Sequence, residues 1–132
     1  MRRLLLILTL FTAAWSPAAH AQVKPVLTSE VRAELVALRA EIKFKPDAAS
    51  GYQGADTPED LAPLNASVNG LIDQVLAHTD GPISETDTFM LIGLALPGVS
   101  PFATEDRERA YAYFNQIWTI LGLKGEVIPT ES

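Results

Sequence analysis

The sequence predicts an all-α domain, a small four-helix bundle preceded by a cleaved signal peptide. Three observations carry that prediction. Four segments repeat apolar residues at the helical spacing of three and four. Helix-starting residues open them and proline or glycine closes most of them. The 132-residue chain contains no cysteine, so packing alone must hold the domain together.

The chain begins with Arg2 and Arg3, followed by an apolar run over 4–14 broken only by Thr9 and Thr12. Ser16 and Pro17 interrupt it, and Ala19-His20-Ala21 has the small-x-small pattern of a signal peptidase site. The run is well short of the roughly 20 residues needed to span a bilayer. Cleavage after Ala21, a periplasmic or secreted location and no stable membrane anchor are therefore expected. The mature chain, 22–132, would form a single domain with its core at about 28–125.

The first helix starts at Thr28 or Ser29, with Glu30 in its first turn. Val31, Leu35, Leu38 and Ile42 make its inner face, Arg32, Glu34, Arg39, Glu41 and Lys43 its outer side, and Pro46 ends it. A glycine-containing loop follows over 47–56, without periodicity. Thr57-Pro58-Glu59-Asp60 then reads as the start of a second helix, with Thr57 as cap and Pro58 in the first turn. Its stripe is Leu61, Leu64, Val68, Leu71, Ile72, Val75 and Leu76. It is expected to run to about His78 and stop at Asp80-Gly81-Pro82.

Ser84 caps the third helix. Its apolar residues, from Phe89 through Leu96, leave no polar face, which predicts a central, buried position. Thr104 caps the fourth, in which Ala110, Phe114, Ile117 and Leu121 share a face and Tyr111 and Trp118 widen it. Gly122 suits a left-handed C-terminal cap. Burial is expected for Phe89, Leu91, Ile92, Leu94, Phe114 and Ile117, and a loose hold on Lys124-Gly125 and on the tail after Pro129.

Several of these segments are similar to one bacterial family. Thr104-Glu105-Asp106-Arg107-Glu108-Arg109, Tyr113-Phe114 and Ile120-Leu121-Gly122 resemble the pattern of domain of unknown function 4844. Lys43-Phe44-Lys45-Pro46 and Tyr52-Gln53-Gly54-Ala55 resemble its earlier segments. The resemblance covers about 31–125 and implies a small helical fold without naming an activity.

Without Arg2 and Arg3, eight basic residues face sixteen acidic ones, a formal charge of −8. That balance opposes nucleic acid and anionic membrane as partners and suits solubility or a basic protein partner. The densest charge cluster is Glu105, Asp106, Arg107, Glu108 and Arg109. Read structurally, it is a dipole-matched first turn with Glu105 and Arg109 paired. Read functionally, it is a carboxylate–guanidinium site for a polar ligand. Tyr52 is the candidate loop contact, either exposed for recognition or folded back as a lid.

His78, Asp80, Glu85 and Asp87 lack the ligand spacing of a calcium loop, so no metal is assigned. No cofactor motif, nucleophile elbow or phosphate loop occurs. The leading expectation is a binding or interaction module of the bacterial envelope, of inhibitor or immunity type. The alternative is a small carboxylate-dependent hydrolase or lyase using Glu105 and Glu108.

Overall fold

The computed structural model describes residues 27–78 and 83–130. The expected signal peptide and the expected helix stop at Asp80-Gly81-Pro82 lie outside them. Among the described residues the chain is all-helical, with four α-helices and no strand: α1 (Ser29–Ala40), α2 (Leu61–Leu76), α3 (Glu85–Ala95) and α4 (Thr104–Ile120). None of these helices is long and apolar enough to cross a membrane.

α1 begins as its sequence dictates. Thr28 Oγ1 accepts the amide of Val31 at 3.1 Å, satisfying a donor that the first turn leaves free. Leu35 and Leu38 are buried on its inner face. The helix ends two residues before Ile42, which is 67% exposed instead of continuing the inner stripe. Lys43 replaces it inside. This side chain, expected on the outer face, is fully buried, and its ammonium donates to Arg39 O, Glu41 O and Asn69 Oδ1 at 2.8–3.1 Å. The carbonyls at the end of α1 thus receive their donor from a cation, and burial holds Lys43 below the ordinary lysine pKa. Asn65 secures the same turn, accepting from Lys43 N and donating to Lys43 O. Phe44 follows with φ 63°, a left-handed conformation unusual for a bulky residue, and buries its ring edge-on against Tyr113 at 5.2 Å.

α2, not α3, is the central helix. It contacts α1, α3 and α4, and its Leu64, Val68, Leu71, Ile72 and Val75 form a continuous buried stripe. A 3-10 turn, Pro58–Asp60, leads into it. Thr57 does not make the expected side-chain cap, because the extra tight turn moves the first α-helical residue to Leu61, and Asp60, which now precedes the α-helix, makes no side-chain cap either. The helix closes at Leu76, slightly before the expected His78. Arg32 of α1 donates to Leu76 O and His78 O at 3.1 and 2.7 Å, tying that end to the neighbouring helix.

α3 is capped by Ser84 as expected, with Ser84 Oγ accepting from Asp87 N at 2.9 Å. It lies at the edge of the bundle and packs chiefly on α2. Thr88 and Ile92 are buried, and Leu91 is half-buried. Phe89, Met90 and Leu94 are 59%, 59% and 72% exposed, correcting the central placement. An all-apolar helix has no polar face to mark its outer side, so its sequence does not show which residues turn away from the core.

α4 buries Ala110, Phe114, Ile117 and Trp118 against the core. Gly122, at φ 80°, provides the left-handed close: its amide reaches Thr119 O, and that of Leu123 reaches Trp118 O. The following segment is fastened to α4 on both sides of Gly125, at Lys124, where the sequence predicts a loose hold, and again at Val127 and Ile128. Asn115 Oδ1 accepts from Val127 N and Ile128 N at 2.9 and 3.0 Å, and its amide donates to Ile128 O at 2.8 Å. Trp118 Nε1 adds a bond to Lys124 O at 3.1 Å.

Candidate functional site

The N-terminal half of α4 and the 47–56 loop form one unit. The loop is a compact turn. Asp47 and Tyr52 exchange backbone hydrogen bonds at 2.9 and 3.1 Å, and Gly51 supplies the left-handed turn position at φ 74°. Asp47 also closes the turn with its side chain, accepting from Ala49 N at 3.1 Å and Ser50 Oγ at 2.8 Å. The Ser50 hydroxyl and its neighbours hold the Asp47 carboxyl below the usual carboxylate range.

Asp106 fastens this loop to the helix. It is 1% exposed, and its two oxygens accept from Tyr52 Oη at 2.7 Å and Asp56 N at 3.0 Å. Burial, then the bond to Asp106, pushes the Tyr52 phenol well above its ordinary pKa. Arg109 lies over the same ring, with its guanidinium carbon 4.3 Å from the ring centroid. It also donates to Ser50 Oγ at 2.5 Å and meets Asp47 Oδ2 at 3.4 Å. Tyr52 is therefore half-buried and folded back, held between an acid and an arginine one helical turn apart.

The five members of the charged block have separate roles. Arg109 pairs with the loop rather than with Glu105, because the loop brings Asp47, Ser50 and the Tyr52 ring within its reach. Arg107 stays local, donating to Ser100 O, Phe102 O and Thr104 Oγ1 at 3.2–3.4 Å over the turn before α4. Thr104 is itself the first residue of the helix and caps nothing with its side chain. Asp106 is the buried anchor. Glu105 is exposed and Glu108 half-buried. Both line an open cleft of about 440 Å³ whose facing wall is Ser50, Gly51 and Tyr52. One carboxylate oxygen of Glu108 is withdrawn from solvent with no hydrogen-bond partner.

The family model described as domain of unknown function (DUF4844) matches the chain over residues 26–126. The chain belongs to this family. No curated protein and no solved structure matches it. The matched region of the DUF4844 domain takes in both the 47–56 loop and the whole charged block.

Among the described residues of the DUF4844 domain, no three histidine or acidic side chains gather at metal-binding distance. Its only ion pairs there are Arg109–Asp47 and Arg39–Asp73, the latter at 2.6 Å on the surface between α1 and α2. The polar residues that sequence reasoning missed are Lys43, Asn65, Asn69 and Asn115. Three asparagines inside helices were the available signal. Asparagine is a poor helix former, and its presence at interior positions fits a side chain bound to another segment.

Proposed function

We propose that this DUF4844 domain is an exported interaction module of the bacterial envelope that engages a basic protein partner through the cleft between α4 and the 47–56 loop. The observation that carries the reading is Glu108. One of its oxygens is hidden from solvent without a donor, on a residue that lines the cleft beside the exposed Glu105. An unsatisfied acceptor of this kind is unfavourable where it stands, and a lysine or arginine side chain in the cleft supplies both donor and charge once the Glu108 carboxylate turns outward to meet it. The Tyr52 ring and Ala112 offer apolar surface for the stem of such a side chain.

The excess of acidic residues supports the same choice of partner. The signal-peptide pattern at the N-terminus supports export. Contact is a better reading than turnover through Glu105 and Glu108. Both lie on one wall of the cleft, and the facing residues Ser50, Gly51 and Tyr52 bring no second carboxylate.

Calorimetric titration with an arginine-rich peptide tests the binding. Saturable binding is expected, weakening with salt and lost in Glu108→Gln. Equal binding by parent and Glu108→Gln would remove the cleft from the account. Intact mass of protein from the periplasmic fraction tests export. A chain beginning at Gln22 is expected, and full-length protein in the cytoplasm would contradict it.

A further inference from the structure

The outer face of α3 is unusual for a helix at the edge of an acidic domain. Phe89, Met90 and Leu94 project from it at 59%, 59% and 72% exposure, with Gly93 exposed between them, Thr86 exposed before them and Pro97 exposed just past the helix end. None of these six residues is charged. We infer that this face is the contact through which two copies of the chain associate, α3 against α3 in antiparallel register about a two-fold axis near Gly93.

Gly93 gives the first argument. It sits in the middle of a helix, where glycine is the least favourable residue apart from proline. A Cβ added there would meet nothing of its own chain within 4 Å. The fold does not need a glycine at this position, whereas close approach of a second backbone does. Gly93 leaves a gap between Phe89, Met90 and Pro97, the kind of hole into which a side chain from a facing helix packs.

Shape gives the second argument. Leu94 borders a shallow hollow of about 220 Å³, formed in part by Ala66, Gly70 and Gly98 between α2 and α3. Gly70, like Gly93, has open space where its Cβ would stand. Projection and hollow lie on the same surface, as a two-fold interface requires, since each patch must fit itself.

Charge selects the antiparallel register. Glu85 and Asp87 stand in the first turn of α3. A parallel pair would bring four carboxylates together, whereas the antiparallel pair separates them and opposes the two helix dipoles. Area sets the strength. The exposed parts of Phe89, Met90 and Leu94 amount to roughly 350 Å² per copy, against the ~800 Å² per partner of a standard interface. These three side chains supply a little under half, so the expected dimer is weak, with dissociation in the micromolar range.

Sedimentation velocity of the protein as the cell produces it, from about 5 μM to about 500 μM, tests this. The parent should shift from monomer to dimer across that range. Leu94→Glu should remain monomeric throughout. Gly93→Leu should also remain monomeric, because it fills the gap, while its thermal unfolding at low concentration stays at or above the parent's. That combination separates a lost contact from a damaged fold. A parent that stays monomeric to the top of the range overturns the proposal, as does a Leu94→Glu variant that dimerises like the parent. Flotation with phosphatidylethanolamine–phosphatidylglycerol vesicles, retained by the parent and lost in Leu94→Glu, would assign the face to lipid and equally overturn self-association.

Discussion

Replacing Asp106 with alanine removes a buried side chain that joins the 47–56 loop to α4 at two points. Tyr52 Oη and Asp56 N each lose a carboxylate acceptor, from bonds of 2.7 and 3.0 Å. Hydrogen bonds to charged groups contribute about 1.5–3 kcal/mol each. Asp56 is exposed, so water takes over part of its loss, whereas Tyr52 is half-buried and recovers less. The expected destabilisation is therefore about 2–4 kcal/mol. Asparagine keeps the shape and exchanges charged bonds for neutral ones, so Asp106→Asn should lose about 1–2 kcal/mol. An acid that merely complements the helix dipole would lose only about 0.3–1 kcal/mol on truncation. Urea unfolding followed by circular dichroism separates these ranges, provided the slope with denaturant is unchanged. A double-mutant cycle with Tyr52→Phe should show a coupling above about 0.5 kcal/mol, since both changes remove the same bond. Asp106→Ala within about 0.5 kcal/mol of the parent, with additive behaviour in the cycle, would refute the anchor.

Further outcomes follow from the same structure. Arg109→Gln, which gives up the Tyr52 stacking and the contacts to Ser50 and Asp47, should lose about 1–2 kcal/mol in urea unfolding, against a few tenths for Arg107→Gln; the reverse order would misplace the loop. Lys43→Met strips the donor from Arg39 O, Glu41 O and Asn69 Oδ1 and should destabilise by about 2–4 kcal/mol, so a loss below about 1 kcal/mol would mean that Lys43 is solvated. Tyr52 and Tyr113 both have pKa values raised chiefly by burial. Their contribution to stability is fully present below the unfolded value of about 10 and is lost as pH rises through the folded values. Absorbance at 295 nm should therefore show Tyr52 and Tyr113 ionising late and together with unfolding, and titration of both near pH 10 in folded protein would contradict this.

The sequence made the helices legible and left their outer surfaces obscure. Leu64, Val68, Leu71, Ile72 and Val75 keep strict helical spacing, and the structure buries all five. Ser84 and Gly122 mark their boundaries because capping chemistry is local. Phe89 and Leu94 face outward despite their apolar character, because apolar composition signals burial only when a polar face supplies contrast. Helical phase places Lys43 outside, whereas α1 ends at Ala40 and the chain turns its side chain inward. The charged block stood out as a string, but the division of labour within it depends on Asp47, Ser50, Tyr52 and Asp56. Those partners lie about 50 to 60 residues away, as the bonds of Asp106 and Arg109 record. No local spacing rule could pair them.

The cleft exists only if the 47–56 loop is held against α4. Amide hydrogen exchange, read residue by residue, measures that directly. The amides of Asp47, Tyr52 and Asp56 donate within this unit, and that of Ala55 donates to Phe44 O just before it. They should exchange at least about 100-fold more slowly than in an unstructured peptide, and Asp106→Ala should release Asp56 first while α2 stays protected. Exchange of these four amides at the free-peptide rate in the parent would mean that the loop is open and the cleft unformed.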